Sequence, residues 1–162
     1  MITLNWKRTA DQVGAGFQKI EDRFRARLAE HLYIAIGNLR EYIVTQKLSG
    51  QVLHARTGNL ANATQPSIYQ SLDRYILTGK VSVDSTASVY GRAHEYGAHI
   101  PERVPIKKHA LHWLNASGGD VFAMHAAAFD LPERSFMRSS LAEFREQIIN
   151  EIKKGLTEGV TR

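Results

Sequence analysis

The chain has 162 residues, no cysteine and a formal net charge of +5. That length fits one domain and is enough to bury about 70% of the surface its unfolded form exposes. The missing cysteines exclude disulfides and thiolate metal sites, and a sequence pI of about 9.6 makes a polyanion a partner to consider. No apolar run reaches the ~18 residues needed to cross a bilayer. The opening "MITLNWKRTADQ" has no apolar region of the kind a secretory signal carries, so a cytoplasm-like setting without membrane contact is expected.

The first third reads as a long helix over 9–47. Thr9 and Gln12 have capping-box spacing. Val13, Phe17, Ile20, Phe24, Leu28, Leu32, Ile36, Leu39 and Ile43 then recur at steps of three and four, forming one apolar stripe. Such a helix would be ~55 Å long at 1.5 Å per residue, long enough to serve a neighbouring subunit as well as its own sheet. Gly37 marks an expected bend.

"LSGQVLHARTGNLANATQP" reads as a connection closed by Pro66. Alternation in Tyr75, Leu77, Gly79, Val81 and Val83 predicts strands. "VYGRAHEYG" predicts a short helix stopped by Gly97. "HALHWL" and "DVFAMHAAAF", separated by "NASGG", predict a hairpin, with Ala110, His112 and Leu114 on one face of its first arm. A final helix over 133–158 follows Pro132. Its stripe is Met137, Leu141, Phe144, Ile148, Ile152 and Leu156, and Gly155 and Gly159 predict a frayed end. With no strand–helix–strand alternation, the order predicts an α+β fold. It comprises a long N-terminal helix, a small antiparallel sheet and a C-terminal helix packed on that sheet. The organisation is a single domain, 1–162, with an α+β core over 57–162.

The chemistry of the side chains gives no catalytic centre. His94, Glu95 and His99 nearly spell the zinc-protease signature. Residues five apart on a helix, however, point about 140° away from each other at 100° per residue, so the two histidines cannot grip one metal. His109 and His112 fall three apart on a strand and face opposite ways, with His125 across the hairpin. No phosphate loop, nucleophile elbow or paired carboxylate occurs, so no catalytic residue, cofactor or metal is assigned. "RVPIKK" holds the densest acid-free basic cluster, Arg103, Lys107 and Lys108.

Four stretches carry a further signal in their order: "KLSGQVLHARTGNLANAT", "ASVYGRAHEYG", "IKKHALHW" and "LPERSFMRSSLAEF". Over roughly residues 45–160 the sequence resembles the tail-completion or head–tail joining proteins of long-tailed bacteriophages. Members show a long N-terminal helix and then an Arg-Thr-Gly-x-Leu turn. A Tyr-x-x-x-x-Glu-(Tyr/Phe)-Gly segment follows, then a Lys-Ala-Leu-like strand and a Pro-Arg-(Pro/Ser)-Phe-(Leu/Met) opening of the last helix. The matching residues are Arg56, Thr57, Gly58 and Leu60; Tyr90, Glu95, Tyr96 and Gly97; Ala110 and Leu111; and Arg134, Phe136 and Met137. His109 stands where Lys is common, Glu133 is inserted, and Ser135 stands where Pro is frequent. These departures leave tail terminator, neck stopper and minor tail component all open.

The resemblance implies a non-enzymatic virion protein, made in the host cytoplasm and built into the neck or tail. Its partners would be copies of itself in a ring and other phage neck or tail proteins. Passing DNA would meet the cluster at Arg103, Lys107 and Lys108 through phosphate attraction alone. The alternatives are a basic nucleic-acid-binding module and, third, a metal-dependent hydrolase.

Overall fold

The computed structural model describes residues 6–50, 58–71, 76–85, 87–106, 109–115 and 117–161, with side chains from 14 to 159. The fold is α+β. Helix α1 (Trp6–Tyr42) continues into a π-helical turn, Ile43–Lys47. A short helix α2 (Asn59–Ala63) leads into β1 (Thr64–Gln70), β2 (Leu77–Val83) and helix α3 (Ser88–Tyr96). Strands β3 (Ala98–Ile100), β4 (Leu111–Leu114), β5 (Asp120–Ala123) and β6 (Phe129–Leu131) precede α4 (Met137–Thr161). None of the described helices is long and apolar enough to cross a membrane.

The predicted stripe organises α1 from its middle onward. Leu32, Ala35, Ile36, Leu39 and Ile43 are buried. The β1–β2 ribbon and α4 both pack on this helix. Gly79 of β2 makes the ribbon's approach possible, since a Cβ there would lie 2.5 Å from Ile36 Cγ1. The π turn closes with Leu48 N donating to Ile43 O at 3.0 Å. The extra residue in that turn puts Ile43 and Leu48 into one cluster with Leu39 and Phe136. Val81 and Val83 of the ribbon pack against this cluster together with Met137, Phe144 and Ile148 of α4.

Helix α4 runs antiparallel to α1. Lys47 reaches Glu143 at 2.7 Å near one end, His31 reaches Glu151 at 2.9 Å further along, and Gly159 lies against Phe24 at the other end. Gly159 faces Phe24, and α1 from Trp6 to about Ile20 extends past the described part of α4, roughly 20 Å of helix at 1.5 Å per residue.

Several expectations are corrected. Helix α1 begins at Trp6, so Thr9 lies inside it and is not its cap. The connection before Pro66 contains α2, and β1 starts at Thr64 and includes Pro66 opposite Val81. Proline is tolerated there because a two-stranded ribbon leaves each strand one unpaired edge. Helix α4 starts at Met137 rather than 133, where Glu95 accepts from the amides of Phe136, Met137 and Arg138, and runs to Thr161 rather than 158. Leu141 is 54% exposed, and Ser140 takes the inward place, its hydroxyl donating to Phe136 O at 2.5 Å. Gly155 and Gly159 do not loosen the end of α4. Both are buried, and a Cβ on either would come within 2.9 Å of His31 or 2.7 Å of Phe24.

The antiparallel structure among the described residues is three separate two-stranded ribbons, β1–β2, β3–β6 and β4–β5. The β4–β5 hairpin turns through the predicted Asn-Ala-Ser-Gly-Gly stretch. Asn115 Oδ1 accepts there from Ser117 N at 3.0 Å and Gly119 N at 2.8 Å.

Candidate functional site

Two distant motif segments meet at one buried carboxylate. Glu95 sits in the last turn of α3 and is 5% exposed. Its Oε2 accepts from Phe136 N at 2.8 Å and Met137 N at 2.9 Å. Its Oε1 accepts from Ser135 Oγ at 2.9 Å, Arg138 N at 3.0 Å and Arg138 Nε at 3.1 Å. The free amides at the start of α4 are thus capped by an anion from another helix, where the helix dipole also favours negative charge. Burial pushes the Glu95 carboxyl up. The amides of Met137, Arg138 and Phe136 with the Ser135 hydroxyl outweigh it and hold the group below the usual carboxylate range.

The neighbouring motif residues serve the same joint. Gly97 has φ of 74°, and a Cβ on it would stand 3.0 Å from Leu131 O and 3.2 Å from Glu133 N. Only glycine fits that turn without strain. Arg134 N donates to His94 O at 2.8 Å. Phe136 is fully buried. The exposed Tyr96 ring carries the Arg138 guanidinium 4.6 Å from its centroid. Glu95, Tyr96, Gly97, Arg134 and Phe136 therefore come together, and they build a joint between α3 and α4. Sequence reasoning missed Ser135 and Arg138 as members. The sequence did not signal them: a helix read from 133 has Glu133 in its first turn, and only the observed start at Met137 leaves that turn without an acid.

The other motif residues lie apart. Gly58, in the left-handed region at φ 69°, opens α2, and Leu60 packs on the core cluster and against Gly91. Arg56 and Thr57 fall outside the described residues, as do Lys107 and Lys108 of the basic cluster. Arg103 is exposed, and its backbone pairs with Ala126 in an isolated bridge. The histidines also separate. His94 belongs to α3 and His99 to β3, where His99 meets Asp130 at 2.7 Å. Burial, with the Arg134 charge nearby, pulls the His94 imidazole down. His112 contacts Asp120 at 2.6 Å and stacks on Phe122, while His125 contacts Glu102 at 2.8 Å.

Residues 98–132 form an arm of two ribbons in which none of the described residues is buried. Large apolar side chains stand open along it, with Ile106 92% and Phe122 and Met124 each 68% exposed. Between the ribbons lies an open groove of about 430 Å³, lined by Ile100, Pro101, Leu111, Trp113, Ala126 and Phe129, with Arg103 at it as well. Another bare apolar surface is the projecting part of α1, where Phe17 is 69% and Ile20 52% exposed. These two residues continue the stripe that α4 covers further along the helix.

Between α1 and α4, the buried His31 holds Glu151 through Nδ1 at 2.9 Å and Glu158 through Nε2 at 3.4 Å. The bond to Glu151 raises the imidazole; burial opposes it, and Glu158 adds to the rise. Lys154 binds the other oxygen of Glu151 at 3.0 Å. No family model, curated protein or solved structure matches this chain.

Proposed function

We propose that this chain is a phage virion structural protein acting in tail completion or head–tail joining, as a tail terminator or neck ring component. It acts by self-association and docking to neighbouring ring proteins, and carries out no bond-making chemistry. The observation that supports this reading most is the arm. A segment of more than thirty residues in which none of the described residues is buried, yet rich in exposed Ile, Phe, Met and Trp, is costly to leave in water and gains a partner's surface when covered. The two-stranded ribbons point the same way, since among the described residues each has no third strand on either side, and exposed edges pair with other chains. The phage assignment itself rests on the ordered motifs. Several of these fall at the α3–α4 joint that roots the arm on the helices, which fits a scaffold presenting a contact element.

The test has two parts. Sedimentation of the full chain across a concentration series should show oligomers rising with concentration, with rings visible by electron microscopy. Disrupting the gene in its phage should leave heads and tails that fail to join or tails that fail to finish. A chain monomeric at every concentration, or normal infectious particles without it, would overturn the proposal. Contact with passing DNA through Arg103, Lys107 and Lys108 belongs to the same reading and predicts weak, salt-sensitive retention on duplexes.

A further inference from the structure

We infer that self-association is head-to-tail, with the projecting start of α1 from one copy seated in the groove between the two arm ribbons of the next. This rests on the assembly reading above and names its interface.

Both surfaces are bare in one chain, so neither covers the other within it. The arm is rooted where α3 meets the start of α4, beside the π turn at Ile43–Lys47, and that root is ~35 Å along the helix axis from Ile20. Two different patches on one chain make a heterologous contact, which closes as a ring or extends as a filament.

The chemistry of the two patches matches. Phe17 and Ile20 are three apart and share a helix face, and the groove walls are Ile100, Leu111, Trp113 and Phe129. An apolar helix face laid in an apolar groove is a recurring mode of recognition. The arm as a whole offers enough area around that groove. The exposed fractions of Trp113 and Phe129, which line it, and of Ile106, Leu114, Phe122 and Met124 elsewhere on the arm amount to roughly 800 Å² of accessible surface, above the ~300–600 Å² of the largest apolar patch on a typical monomer and near the ~800 Å² that one partner of a standard interface contributes. The occupant is a second copy because the chain itself carries the matching helix face, free and in the same register as the part of the stripe that α4 already covers.

The experiment uses the full chain and two variants, Phe17→Asp with Ile20→Asp, and Phe129→Asp, each checked for native circular dichroism. Each variant alone should self-associate about tenfold or more weakly than the wild type. Mixed, they should give a heterodimer, because one keeps an intact groove and the other an intact helix. If the wild type oligomerises and both variants do so equally well, or the mixture yields no heterodimer, head-to-tail docking is overturned while self-association stands. A wild type that stays monomeric overturns both. Should Phe129→Asp unfold, cysteines decide the matter in a chain that has none of its own. Ile20→Cys and Phe129→Cys chains, mixed under mild oxidant, should form the mixed disulfide in excess over either homodimer. A homodimer excess refutes the pairing.

Discussion

Replacing Glu95 tests whether the α3–α4 joint is held by its buried carboxylate. Removing the side chain in Glu95→Ala leaves the amides of Phe136, Met137 and Arg138 without their acceptor. The Arg138 side chain is half exposed and rehydrates, so the amides dominate the cost. An unsatisfied buried polar group costs about 1–3 kcal/mol, and breaking a buried charge interaction ~3–5 kcal/mol. Some water enters the space left, so a loss of about 3 kcal/mol is expected, or ~6–12 °C in the thermal midpoint of a domain this size. In Glu95→Gln one oxygen serves either the Oε2 pair or the Oε1 set, and the amide nitrogen opposes the other donors. About half the loss is expected. Because the folded carboxyl titrates below its unfolded value, its contribution is complete above the unfolded pKa of ~4.3 and fades as pH falls through the folded one. The gap between wild type and Glu95→Gln should therefore narrow in acid. Thermal melts at pH 7 and at steps down to pH 3 measure both effects. Glu133→Ala removes only an exposed partner of Arg138 and should leave the midpoint nearly unchanged. A Glu95→Ala midpoint within about 2 °C of wild type, or a Gln difference that ignores pH, would refute the capping argument.

Gly155→Ala places a methyl 2.9 Å from the His31 side chain and should destabilise by about 1–3 kcal/mol through overpacking. Gly37→Ala meets nothing within 4 Å and should stabilise by about 0.5–1 kcal/mol through helix propensity; urea titrations of both variants check the contrast. His31 is raised in the folded state, so its contribution is complete below the unfolded value of ~6.5 and is lost as pH rises through the folded one. Urea midpoints should fall over that rise in the wild type and stay flat there in His31→Gln, and an NMR titration should place the imidazole above its free value. Replacing Arg103, Lys107 and Lys108 together with Ser should reduce the log–log salt slope of duplex binding by about 3.

The sequence made the elements with strong local signals legible. The α1 stripe, the stop of α3 at Gly97 and the hairpin around Gly118 and Gly119 all have local causes: periodicity, a left-handed glycine and a turn closed by Asn115. What it hid depends on contacts between distant segments. The inward turn of Ser140 and outward turn of Leu141 follow from Phe136 anchoring the first turn of α4, and a polarity pattern alone favours the leucine. Gly155 and Gly159 read as weak points until His31 and Phe24 are set against them, where the missing side chains become the means of close helix packing. For the candidate site, the Glu95 and Phe136 segments were visible as motifs, but not that one carboxylate caps the other segment's helix.

That joint also explains why the motif residues and the proposed contact residues are different sets. A carboxylate that must meet three amides and a hydroxyl, beside a glycine at positive φ and under a fully buried phenylalanine, tolerates almost no substitution of type or spacing. Such constraints leave a recognisable pattern in a sequence. An apolar patch that docks by area is less demanding, because isoleucine, methionine and phenylalanine cover similar surface and any of them satisfies a groove of this size. The arm therefore carries its meaning in exposure, which only the folded chain reveals. Its motif-bearing root ties both ends of the arm to the helices, one after α3 and the other before the Glu95-capped start of α4. In the proposed head-to-tail docking, the direction in which that root aims the arm sets whether successive copies close into a ring, which makes the Glu95 cap a determinant of assembly geometry.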